Sequence, residues 1–347
     1  ILDYYSRDTK DLLTKQALPG YTGFSDIVTN QGTLRNYGFE AEVRANIINK
    51  GGFTWDMNAN ISSVANKIIS LPYNGVDKNR VGGYEVAAGK VGADGKFPTK
   101  WIAGRQEGGK LGELVAYKQQ HIFKDWDDVK QHANMRIDEV ANLYGPGLAD
   151  QINPLTNKPY KESTGWQPIE PGDVCWEDMN GDDVINGYDR YVVGNIFPNI
   201  TGGFSTTFGY KGISLYARFD YALGHTLYND LAARSLGQYQ GSFNVIDKVK
   251  DTWSEANPNS DLPKFYYADQ LSKKNITRSN DSNTAADSNS SRFYEKGDYL
   301  ALREITLSYQ LPKSLISKVH MTDASVYVTG QNLFYITGYE GVSPEPV

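Results

Sequence analysis

The run Phe39-Glu40-Ala41-Glu42-Val43-Arg44-Ala45-Asn46-Ile47 decides the fold, because every odd position is apolar and every even one polar. Successive side chains of a strand point to opposite faces, so this alternation sets one face against an apolar phase and the other against water. After Asn49-Lys50-Gly51-Gly52 the pattern resumes. Phe53, Trp55, Met57, Ala59 and Ile61 alternate with Thr54, Asp56, Asn58, Asn60 and Ser62. Such stretches match a tilted bilayer-crossing strand of roughly 9–11 residues.

Further along, Phe204, Thr206, Phe208 and Tyr210 lead through Lys211-Gly212 into Ile213, Leu215, Ala217, Phe219 and Tyr221. The intervening Ser214, Tyr216, Arg218 and Asp220 face the other way. A third pair covers residues 299–311, ended by Pro312, and 324–334, and residues 1–13 read as a weaker first strand. The connections between these seven strands alternate in length. The long ones cover residues 14–34, 67–200, 223–297 and 337 onward; the short ones are 49–52, 211–212 and 312–323. Outer-membrane barrels have this asymmetry, with short periplasmic turns and long extracellular loops. Parity requires zero or two spanning strands within 67–200, and residues 111–118 and 173–177 are the candidates, either as such a pair or as a hairpin outside the membrane. An edge of unpaired amides in lipid costs several kcal/mol per group, so seven strands need further strands outside this sequence to form a closed wall.

Composition agrees. Of 347 residues, 39% are hydrophobic and 24 are tyrosine, a residue suited to half-wet surfaces. No apolar run reaches the ~18 residues of a transmembrane helix. A net charge of −6 argues against a nucleic-acid partner. The single cysteine, Cys175, reads as a small buried or loop residue, and the four histidines form no metal signature such as HExxH. The chain opens at Ile1 without a signal peptide, which reads as a fragment or a mature product. Residues 125–144 and 244–256 have helical character behind the capping residues Asp125 and Asn244. Residues 279–291 read as an exposed loop tip.

Several ordered motifs resemble SusC/RagA-type TonB-dependent transporters. They are Asn36-Tyr37-Gly38-Phe39-Glu40; Asn66-Lys67-Ile68 with Leu71-Pro72; Pro171-Gly172-Asp173-Val174; Asp178-Met179-Asn180-Gly181-Asp182-Asp183-Val184-Ile185-Asn186; Asp189-Arg190; and Val193-Gly194-Asn195 with Pro198-Asn199. Toward the end come Leu302-Arg303-Glu304-Ile305-Thr306-Leu307-Ser308-Tyr309-Gln310-Leu311-Pro312, Gly330-Gln331-Asn332-Leu333-Phe334 and Tyr339-Glu340-Gly341-Val342-Ser343-Pro344-Glu345. The resemblance spans almost the whole chain. It implies an all-β chain, part of a large transmembrane antiparallel β-barrel of about 22 strands with long extracellular loops. Residues 1–347 would then be the C-terminal portion of the barrel domain, with the plug, the TonB box and the closing strands outside this sequence. It further implies outer-membrane import of an oligosaccharide or peptide under a SusD-like surface lipoprotein lid, powered through TonB. Asp183 departs from the family, which usually has glycine there.

Two sets of residues bear on function. Asp178, Asn180, Asp182, Val184 (through its carbonyl), Asn186 and Asp189 fit a calcium loop of EF-hand or dockerin type, a structural ion at the cell surface. Against it stand the missing position-6 glycine and an Asp where the longer Glu is usual, and the competing reading is an Asx-rich turn bonded to its own backbone. Glu40, Glu42 and Arg44, with Tyr216, Arg218 and Asp220, are candidates to line a polar lumen. Glu40 and Glu42 lie about 7 Å apart, reminiscent of inverting glycosidases, but nothing in the sequence would raise either pKa, so no enzyme is expected. Tyr4, Tyr5, Phe53, Trp55, Tyr210, Tyr221, Tyr309 and Tyr335 suit interfacial girdles. Trp101, Trp126, Trp166, Trp253, Tyr266 and Tyr267 suit loop packing more than stacking on sugar rings, and Asp251-Thr252-Trp253 with Asn257-Pro258 reads as a loop-packing motif. The competing reading of the whole chain is a secreted, calcium-stabilised carbohydrate-binding or adhesive β protein.

Overall fold

The computed structural model describes residues 1–18, 20–137, 143–162, 166–237, 246–265 and 290–345. Seven long strands form one antiparallel sheet in chain order: β1 (Leu2–Ala17), β2 (Asp26–Lys50), β3 (Phe53–Ser70), β4 (Ile200–Tyr210), β5 (Ile213–Leu223), β6 (Tyr299–Gln310) and β7 (Ser325–Thr337). Each contains a segment read as a strand from the sequence. The turns at Gly51-Gly52 and Lys211-Gly212 have positive φ at both central residues (65° and 79°, 47° and 88°). That geometry matches the twist of the flanking strands and is why glycine stands there.

The register keeps the two faces separate across the sheet. Trp55, Phe208, Leu215, Leu307 and Val328 fall in one lateral row, flanked by the row Phe53, Tyr210, Ile213, Tyr309 and Val326. These apolar side chains are not covered: Val43 is 63% exposed and Leu307 48%. Two sheets packed over a dry centre, as a secreted sandwich requires, do not occur among the described strands. On this face Trp55 Nε1 donates to Thr206 Oγ1 at 2.9 Å, so neither polar group is left open. Phe53, Trp55 and Phe208 stack beside Tyr210 at the short-turn end (Trp55–Phe208 centroids 5.6 Å apart), where a girdle is expected. Tyr335 differs from its expected role. Its hydroxyl accepts from Arg303 and donates to Glu345.

Strand lengths correct the expected first connection. β1 continues to Ala17 and β2 already begins at Asp26, so the loop placed at 14–34 is mostly strand. These first three strands, of 16, 25 and 18 residues for β1 to β3, exceed what a bilayer needs, and the surplus lies at the long-loop end. Pairing there needs no apolar alternation, so the sequence signal stops early.

Among the described residues between β3 and β4 no strand joins the wall, which is the zero of the two counts that parity allows. The segment Glu113–Tyr117 pairs with Arg190–Asn195, and Val174–Trp176 with Gln119–Ile122, in separate small sheets outside the wall. Helix α1 (Trp126–Gln131) is shorter than the expected 125–144. Asp125 does cap it, accepting from the N–H groups of Asp127 and Asp128. The chain then turns back, because Ile137 is buried in the short strand Arg136–Ile137 paired with Leu143–Tyr144. Val140 and Ala141 lie outside the described residues. So do Asn244 and most of 279–291; the described part of 244–256 holds a 3₁₀ turn, Asp247–Asp251. The core of this excursion gathers Tyr117, Phe123, Val129, Ile137, Leu143, Ile169, Val174, Trp176 and Ile185. A smaller core (Ala233, Leu236, Leu262, Phe293) serves the connection from β5 to β6.

Candidate functional site

The polar face of the sheet is built by the even positions of the same strands. One row runs Arg44, Asn58, Ser205, Arg218 and Glu304; the next toward the loops runs Glu42, Asn60, Gly203 and Asp220. Tyr216 follows on the other side, level with Asp56 and Thr207. All six residues expected on the polar wall therefore share one face. Glu42 accepts from Arg44 Nε at 2.7 Å and Glu40 accepts from Ser62 Oγ at 3.3 Å, so the two glutamates serve wall contacts. Tyr216, Arg218 and Asp220, with Asn58, Asn60 and Ser205, line a cleft of about 490 Å³. Glu40, Glu42 and Arg44 lie outside it.

The cleft also contains Arg303, which the sequence reading missed. Arg303 is the extra residue where the β5–β6 register shifts, a β-bulge that aims a side chain away from strict alternation, and it is also unpaired where the β6–β7 register shifts opposite Asn332 and Leu333. Its guanidinium donates twice to the Asp220 carboxylate, once to Tyr335 Oη at 3.0 Å, and to Glu345. The signal was present: Arg303-Glu304 sets two charged residues side by side where alternation allows one. Glu345 belongs to the segment after β7, and His225 Nε2 contacts the Pro344 carbonyl at 2.9 Å, so that segment folds back onto the sheet.

Loop bases are fixed to strand ends by the motif residues. Asn66 Oδ1 accepts from Leu111 N at 2.7 Å, and Ile68 N donates to Gly109 O at 2.9 Å. A Cβ on Gly38 would lie 1.8 Å from the Ser63 carbonyl oxygen, so only glycine permits that strand approach. Trp253 is buried and donates from Nε1 to Lys124 O at 3.1 Å, as a packing residue would. Trp166 stacks on Tyr144 with centroids 4.9 Å apart, and Arg80 covers Trp101. Trp126 is half-exposed, while Tyr266 and Tyr267 lie outside the described residues.

The loop 178–189 is organised around its own side-chain oxygens. Asp178 accepts from Gly181 N and Asp183 N, Asp182 from Val184 N, Asn186 from Tyr188 N, and Asp189 from Met179 N and Asn186 N. Asp183 adopts φ 63°, the left-handed turn for which glycine was expected. Burial pushes the Asp189 carboxyl up to about 7; its two backbone donors oppose this, and the Asp178 and Asp182 charges add to it. Burial likewise pushes the Cys175 thiol up to about 12, with the Asp128 charge adding. The free thiol is protonated and no nucleophile.

An open-faced β wall with a polar inner surface and folded loops at one end defines the class of outer-membrane barrel proteins. No protein-family model matches the chain. Over 343 residues, 99% of the chain, it is 27% identical to TonB-dependent receptor P3 of Formosa agariphila, covering 28% of that protein. It is 24% identical over 346 residues to the TonB-dependent receptor SusC of Bacteroides thetaiotaomicron, covering 27% of it. The fold superposes on a chain of the RagAB peptide transporter structure with a TM-score of 0.61 and 20% identity, across 99% of this chain and 30% of that one. Along almost its whole length the chain is thus similar in sequence to TonB-dependent receptors, SusC among them, and similar in fold to a RagAB chain. It spans less than a third of the length of these relatives.

Proposed function

We propose that this chain supplies part of the barrel wall and the surface loops of a TonB-dependent importer in the bacterial outer membrane. The observation that carries the reading is the uncovered apolar face of a seven-stranded sheet whose opposite face carries the charged and polar rows from Arg44 to Glu304 and from Glu42 to Asp220. Lipid covers the first face and water the second. Import needs no bond chemistry from these residues, only a sealed wall, a wet passage and loops that hold a partner. The ligand is an oligosaccharide or a peptide, received beneath a SusD-like lipoprotein, and TonB acts through the remaining length that the relatives possess. RagAB is a peptide transporter by name, which favours testing peptides first.

The test is uptake of labelled peptide and oligosaccharide pools by cells carrying the receptor. Tyr216→Ala with Arg218→Ala, both on the cleft, is expected to lower uptake several-fold at unchanged surface level. A protein that is monodisperse in buffer without detergent would overturn the reading.

The same reading assigns the loop 178–189 a structural calcium ion. Its carboxylate and amide oxygens each keep a lone pair beyond the backbone bond they accept, and a hard cation prefers such oxygens. Titration calorimetry on the intact receptor should show uptake that chelation reverses; none at millimolar calcium removes the assignment.

A further inference from the structure

The large loop brings together three side chains that are far apart in sequence. Cys175 and His121 face each other directly across the pairing of Val174–Trp176 with Gln119–Ile122. His132 is the residue that ends α1, and its Nε2 lies 3.9 Å from Cys175 Sγ. One nitrogen of each ring and the sulfur all lie within 4.8 Å of one another. We propose that His121, His132 and Cys175 bind a zinc-class divalent cation that clips three segments of this loop together.

The ligand set suits such an ion. Thiolate and imidazole select borderline-soft metals over calcium or magnesium, and three protein ligands leave a fourth position for water. Tetrahedral bonds of about 2.3 Å to sulfur and 2.0–2.1 Å to nitrogen place ligand atoms roughly 3.3–3.7 Å apart. Side-chain rotations that close the cluster by an ångström would achieve this. Asp128 contacts His121 Nε2 at 3.1 Å and itself accepts from Lys124 N at 2.9 Å. A carboxylate on one imidazole nitrogen fixes the tautomer and frees the other nitrogen for metal. Phe123 stands edge-on to both rings, at 5.7 and 5.5 Å, and restrains their orientation. Among the described residues the His132 ring nitrogens have no hydrogen-bond partner but Cys175, and the one bond the ion displaces is the weak donation from Cys175 Sγ to Gln120 Oε1 at 3.7 Å. The sulfur is fully buried, and the His121 side chain, 41% exposed, opens the path from solvent.

The test uses the intact receptor, without a histidine tag, purified in detergent and stripped by chelator, and titrates it with Co²⁺. One equivalent is expected to give a thiolate-to-cobalt charge-transfer band with the visible spectrum of a tetrahedral ion, bleached by one equivalent of Zn²⁺. Cys175→Ser should abolish the charge-transfer band. Asp128→Asn should weaken cobalt binding about tenfold while keeping the band. Absence of the band in the wild-type protein overturns the proposal, whether or not any variant folds. Its persistence in Cys175→Ser overturns it equally, because the thiolate would then belong elsewhere.

Discussion

The wall and the β3–β4 excursion follow opposite packing rules within one chain. In the wall, large apolar residues such as Val43, Ile213 and Leu307 stand exposed, and few strand residues are buried. In the excursion, Trp176, Phe123, Ile137 and Ile185 are all at or below 1% exposure around a common centre. The excursion folds as a water-soluble protein does, by covering its own apolar surface. The wall leaves that covering to its surroundings. The difference identifies the solvent of each region: water around the loops, hydrocarbon around the sheet.

Substitutions can break this comparison. The largest effect is expected from Trp176→Ala, which empties a dry site beside Tyr117 and should cost the loop core about 3–5 kcal/mol. Hydrogen exchange should rise across residues 113–137 and 166–195 while β2 to β6 stay protected. Loss of protection throughout would show that wall and loop are one cooperative unit. Next comes Val43→Arg, expected to cost about 2–4 kcal/mol of stability in lipid vesicles if the site lies near the bilayer midplane. Its neighbour Arg44→Ala, on the wet face, should change stability by less than about 0.5 kcal/mol. Equal effects at the two positions would abolish the distinction between the faces. The smallest is Asp125→Ala, which removes the cap of α1 and should cost about 1 kcal/mol. The loss should appear only as faster exchange at residues 126–131, sharpening the boundary of the loop unit.

The wall was legible because period-two alternation is a direct imprint of two solvents on one strand. Phe53 to Ile61 and Ile213 to Tyr221 needed no other information. Where the strands leave the bilayer that imprint ends, so Thr14 and Gln16 of β1 looked like loop. The excursion was largely illegible, because its core is assembled from pieces as short as Arg136–Ile137 and Val184–Ile185. Such pieces carry no periodicity, and only distant contacts make them strands. Asp125 could be read because a cap is local. The meeting of His121 with Cys175 could not be, since nothing in either neighbourhood specifies the other. Arg303 falls between these cases: its bulge left a doubled polar position, legible once alternation is taken as the rule.

The pairing of β3 with β4 has one more effect. Residues 71–199 leave and rejoin the sheet on strands already zipped together over the whole length of β4, from Ile200↔Ser63 to Tyr210↔Phe53. The cost of holding a loop's ends together grows only with the logarithm of its length. Insertions or exchanges within this excursion therefore leave the strand register untouched, and one set of strands can carry widely different loop assemblies without being rebuilt.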